Sequence, residues 1–131
     1  MTQEDKELLT RDLSCRIPYG VIVNVNGLFD SKLTSVSWYS EVSVDDSVGL
    51  YPISEVKPYL FPLSSMTEKQ EKEYNLLRNF VPIYYYGFDI MVDKELYDNW
   101  ESIDYLNAHH FDYRGLIEKG LAIDATNLNI Y

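Results

Sequence analysis

YGVIVNVNG, Tyr19 to Gly27, is where the chain changes from a helical to an alternating period. Val21, Val23 and Val25 point to one face, and Ile22, Asn24 and Asn26 to the other, as a half-buried strand requires. Asn26-Gly27 predicts a tight hairpin, because both residues accept positive φ. The β-rich run LFDSKLTSVSWYSEVSV reads as one bent strand or two, Asp45-Asp46-Ser47 as a turn, and VGLYPI as a short return strand. Pro52 and Pro58 are expected to end the sheet. Several short strands this close together predict a small curled antiparallel sheet or SH3-like barrel over residues 18–63.

Working outward, the residues before this core are helical. Thr2 and Asp5 form a cap signature, and Leu8, Leu9, Leu13 and Cys15 share a face. Pro18 predicts an end near Cys15, here expected as a small buried thiol. After the core, residues 64–80 form a second helix. Ser65-x-x-Glu68 and Thr67-x-x-Gln70 are alternative capping boxes, and Glu68–Lys72 is a favourable i,i+4 pair. Tyr74, Leu77 and Phe80 supply its inward stripe. Residues 81–131 hold an aromatic strand region, VPIYYYGFDIMV with a bend at Gly87, a helical turn in DKELYDNW, and a C-terminal helical hairpin. The fold class is therefore α+β, with an N-terminal helix, in a single domain over 1–131.

The hairpin contains the densest chemistry, LNAHHFDYRGLIEKGLAID, Leu106 to Asp124. Its first helix runs from Ser102 to His110. Adjacent His109 and His110 point about 100° apart on a helix, so they do not chelate one ion. Zinc helices space their histidines at i,i+4. His110 shares the stripe of Ile103, which favours packing over ligation. From Asp112 a second helix is expected, with Tyr113, Leu116, Ile117, Gly120 and Leu121 on one face. Asp112 caps it, Arg114 pairs with Glu118 on the surface, and Gly120 ends it in a Schellman motif with Leu121 against Leu116. Gly115, unfavourable inside a helix, implies close approach of another element.

Composition narrows the function. The net charge is −10, and both halves are acidic: 12 acids to 8 bases over residues 1–80, and 9 to 3 over 81–131. Binding to a nucleic-acid backbone needs the opposite balance. Cys15 is the sole cysteine, which excludes an internal disulfide. The acidic MTQEDKELL lacks the apolar core of a signal peptide, and no apolar run approaches the ~20 residues that span a bilayer. The chain thus reads as soluble and cytoplasmic, with no membrane partner. No phosphate loop, nucleophile elbow or HExxH occurs, so no catalytic, cofactor-binding or metal-ligating residue is assigned and no cofactor is expected.

Twelve tyrosines and two tryptophans shift attention to protein contact, where such rings are favoured. The candidate contact residues are Trp38, Tyr84, Tyr86, His109, Arg114 and Glu118. The alternatives are a nucleic-acid regulator using Tyr113–Lys119 as a recognition helix, and a DNA mimic.

Three segments, RIPYGVIVNVNG, EVKPYLFPLSSMTEKQ and DYLNAHHFDYRGLIEKGLAID, resemble a family of short prophage and mobile-element proteins of Bacteroides-type gut bacteria. The family carries no assigned activity, so no site residues are transferred. The resemblance implies a phage-related protein acting in a bacterial host cytoplasm on a host or phage protein partner.

Overall fold

The computed structural model describes residues 1–80, 84–85, 88–89 and 96–131. In chain order its elements are α1 (Gln3–Arg16), β1 (Ile22–Val25), β2 (Phe29–Val36), β3 (Glu41–Val44), β4 (Tyr51–Pro52), β5 (Val56–Pro62), α2 (Glu68–Leu77), β6 (Asn79–Phe80), β7 (Tyr84–Tyr85), β8 (Phe88–Asp89), β9 (Leu96–Tyr97), α3 (Trp100–Ala108), β10 (Phe111–Asp112) and β11 (Ile123–Asp124). The fold is α+β. It divides into two compact units, Met1–Ser65 with Asn107–Tyr131, and Met66–Leu106.

In the first unit, α1 starts at a reciprocal capping box. Thr2 Oγ1 accepts from the Asp5 amide, and the Asp5 carboxylate accepts from the Thr2 amide. Leu9 and Leu13 are fully buried, each stabilising the fold by about 1.5–3 kcal/mol. The helix stops at Arg16 because Pro18 opens a 3-10 turn, Ile17–Tyr19, which Gly20 closes at φ +71°.

The sheet that α1 packs on has seven strands in the order β10-β5-β1-β2-β3-β4, with β11 also paired to β5. It is open; the SH3-like closure is not formed. The β1–β2 turn follows the sequence signal. Asn26 and Gly27 sit at φ 55° and 70°, and the Leu28 amide donates to Val25 O at 2.9 Å. Val21, Val23 and Val25 are fully buried and meet Leu33, Val42, Val56 and Leu60 in one core.

Four expectations are corrected in this unit. Pro58 does not end a strand; it lies inside β5, opposite Val23. The Asn26 amide donates to Glu55 O, so the antiparallel alternation requires an amide toward β1 from Lys57 and none from Pro58. Cys15 is exposed, because it falls off the Leu9–Leu13 face. The second helix of the C-terminal hairpin is absent; residues 113–115 are irregular and 116–120 form a turn. The cause is Gly115: its φ of +73° breaks the helical path after Asp112, and a Cβ there would meet nothing. Gly115 thus serves backbone conformation.

In the second unit, α2 uses the Thr67–Gln70 capping box. Lys69 pairs with Glu73 at 4.0 Å, in place of the expected Glu68–Lys72 pair. Tyr74 and Tyr105 stack with centroids 6.3 Å apart. The Tyr74 hydroxyl donates to Asp98, and that of Tyr105 to Glu73 at 2.8 Å. Burial and these carboxylates push both phenols up to about 12. Asn99 caps α3, accepting from the Ser102 amide at 2.8 Å. Strands β6–β9 and β7–β8 pair antiparallel, so part of DKELYDNW is strand. The proposed bend at Gly87 lies outside the described residues.

Candidate functional site

The β2–β3 connection is a tightly bonded turn with an aromatic tip. The Ser37 amide donates to Glu41 O at 2.8 Å, and Ser37 Oγ accepts from the Glu41 amide at 3.0 Å. Ser40 sits in the left-handed region at φ 63°. It is held by a 3.2 Å hydroxyl contact to Thr10 of α1, and its carbonyl accepts from the Ile53 amide at 2.9 Å. The backbone is thereby tied to α1 and to the segment before β5.

Trp38 and Tyr39 project from this frame. They meet edge to face, with centroids 5.1 Å apart and planes at 82°. Trp38 is 90% exposed and Tyr39 54% exposed. They border a groove of about 330 Å³, whose other walls include Lys6, Glu41, Pro52 and Ile53. The lining is mainly polar, with Gln3, Lys6, Ser40 and Ser54 beside the rings. The aromatic pair and Glu41 are its features that suit a cationic side chain, the ring face taking the cation and Glu41 its hydrogen bonds, while Lys6 opposes it.

The segment from Asn107 to Leu121 is built differently. Its side chains turn inward and hold backbone. Asp112 Oδ1 accepts from the Leu116 amide at 3.0 Å, and Oδ2 from the Ile117 amide at 2.9 Å. The amides of Gly120 and Leu121 donate to Ile117 O and Leu116 O at 3.1 and 2.9 Å, the expected Schellman pair, although it closes a single turn. Arg114 does not pair with Glu118. Its Nε lies 3.2 Å from Asp12 of α1, while Glu118 is exposed.

Asp12 also receives Arg16, at 2.7 Å from Nε and 3.1 Å from Nη2, and Arg16 Nη2 donates to Phe111 O at 2.8 Å. Both Asp12 and Arg16 are fully buried. Tyr113 lies beneath both guanidiniums, at 5.2 Å from Arg16 and 5.1 Å from Arg114, and donates to Asn107 at 2.9 Å. His109 stacks on Phe111 with centroids 6.4 Å apart. His110, at φ 61°, stacks on Tyr131 with centroids 3.6 Å apart. Burial, the Arg16 charge and His109 lower its pKa to about 4, so it is neutral near pH 7. The Tyr131 hydroxyl turns inward, donating to Tyr59 O at 2.8 Å and accepting from the Ile22 amide at 2.9 Å.

Of the contact residues expected from sequence, Trp38 stands in the groove and Arg114 and His109 belong to the inward-facing cluster. Tyr84 lies in β7, and Tyr86 is outside the described residues. Glu41 and Lys6 are not anticipated in the groove by the sequence, nor Asp12 and Arg16 in the cluster. The second omission had a signal: Leu9, Asp12, Leu13 and Arg16 follow i, i+3, i+4, i+7, which places both charges on the core face.

Among the described residues, no group of three or more His, Cys, Asp or Glu is arranged to hold a metal ion. No helix there is long and apolar enough to cross a membrane. No family model, curated protein or solved structure matches the chain.

Proposed function

We propose that this chain is a non-enzymatic accessory protein that binds another protein through the Trp38 turn. The observation that carries the reading is a 90% exposed tryptophan on a turn braced at Ser37 and Ser40, beside a groove. An exposed ring adds little to folding, so its large contact area is free for a partner. The partner's contact segment is basic. Support comes from the net charge of −10 and from Glu41, which makes no ion pair among the described residues. Phage or mobile-element origin, and action on a host or phage protein in a bacterial cytoplasm, rest on the resemblance of the three segments quoted above. The nucleic-acid reading lacks its structural element, because residues 113–119 form no recognition helix.

Calorimetric titration with tetra-arginine and tetra-glutamate peptides tests this reading. Tetra-arginine should bind wild type, weaken with added salt, and lose at least tenfold in affinity in Trp38→Ala and in Glu41→Gln. Binding of tetra-glutamate with equal affinity, or unchanged tetra-arginine binding in both variants, would refute it.

A further inference from the structure

We infer that the Asp12–Arg16–Arg114 cluster is a binding site for a small monovalent anion, seated against Nη1 of Arg16. The charges come first. One carboxylate faces two guanidiniums, and guanidinium does not deprotonate in proteins, so the cluster carries an excess charge of +1. Arg16 is fully buried, where an uncompensated charge is costly. Hydrogen bonding points the same way. Nε and Nη2 of Arg16 are satisfied by Asp12 and Phe111 O, but buried Nη1 meets no protein acceptor. The Tyr113 ring lies against the guanidinium, its centroid 5.2 Å from Cζ.

Two further buried nitrogens of this region lack a hydrogen-bond partner, Arg114 Nε, which is ion-paired with Asp12 without donating to it, and His110 Nδ1. His110 precedes the residue whose carbonyl Arg16 holds. A neutral imidazole with its proton on Nδ1 donates one hydrogen bond, so it adds a donor without adding charge. The unpartnered Nη1 and the excess positive charge call for an acceptor of charge −1. Arg114 provides the way in, since its side chain is 25% exposed and its Nη2 lies 3.9 Å from the exposed Cys15 sulfur. Chloride and formate share the required chemistry, compact, monovalent and able to accept from a single nitrogen.

The test is thermal unfolding of the full chain at constant ionic strength, with chloride or formate replacing gluconate, a carboxylate too bulky for a buried site. The melting temperature should rise by several degrees, saturably, with one or both small anions, as ligand linkage requires. Whichever gives the tighter saturation names the ligand. In Arg114→Gln, which removes the excess charge, the response should vanish. Identical melting in all three salts would overturn the site and leave water as the partner of Nη1. An equal rise in Arg114→Gln would overturn it as a general salt effect. If that variant fails to fold, chloride NMR line width decides: broadening by wild type that formate reverses supports the site, and its absence refutes it.

Discussion

In the turn at residues 37–40 the backbone is braced at Ser37 and Ser40 while two aromatic rings stand toward solvent; in the segment 107–121 side chains turn inward and brace the backbone. The second is richer in titratable and hydrogen-bonding residues, yet its Asp112, Tyr113 and Arg114 are engaged in capping, stacking and pairing. The first, SWYS, has little chemistry but displays a tryptophan with no folding role in view. Reactive residue types therefore say less about contact with a partner than whether their polar atoms are already occupied.

The largest expected effect lies in the braced segment. Asp12→Ala leaves two guanidiniums facing each other without their carboxylate, one of them fully buried, and should destabilise by about 3–5 kcal/mol in urea unfolding. A loss under about 1 kcal/mol would show that the cluster is solvated and the contrast false. Next comes His110. Its folded pKa of about 4 lies below the ordinary 6.5, so between these values the unfolded chain binds the extra proton. The His110 contribution is full above pH 6.5, fades as the pH falls toward about 4, and then levels off, a loss of about 1–2 kcal/mol once solvent screening of this partly buried ring is allowed for. His110→Asn tolerates the positive φ and should flatten that part of the stability profile relative to wild type. A smaller effect, about 1 kcal/mol, is expected for Gly120→Ala, which forces a Cβ into φ +73°. Its urea midpoint should fall without a change in m value. Smallest of all, Trp38→Ala should change stability by no more than about 0.5 kcal/mol.

Sequence made the local devices legible wherever one residue type has one physical job. The alternation of Val21, Val23 and Val25, the Asn26-Gly27 turn, both threonine capping boxes and the Gly120 stop are all present. What escaped depends on long-range partners. Asp12 and Arg114 are about a hundred positions apart in the chain, and nothing local in either predicts the pair. Two-residue strands such as β10 and β11 have no period to detect. Gly115 was misassigned because glycine reads alike for close packing and for positive φ. Trp38 is legible in the sequence only as a candidate contact residue, because its groove joins α1 to the residues before β5 and exists only after folding.

The central claim is that Trp38 is solvent-exposed in the free protein and becomes covered by a basic partner. Acrylamide quenching of a Trp100→Phe variant, in which Trp38 is the sole tryptophan, tests both halves at once. Quenching should be close to that of free tryptophan amide, reduced when tetra-arginine is added and unaffected by tetra-glutamate. A Trp38 already shielded in the free protein, or one that tetra-arginine fails to protect, would contradict it.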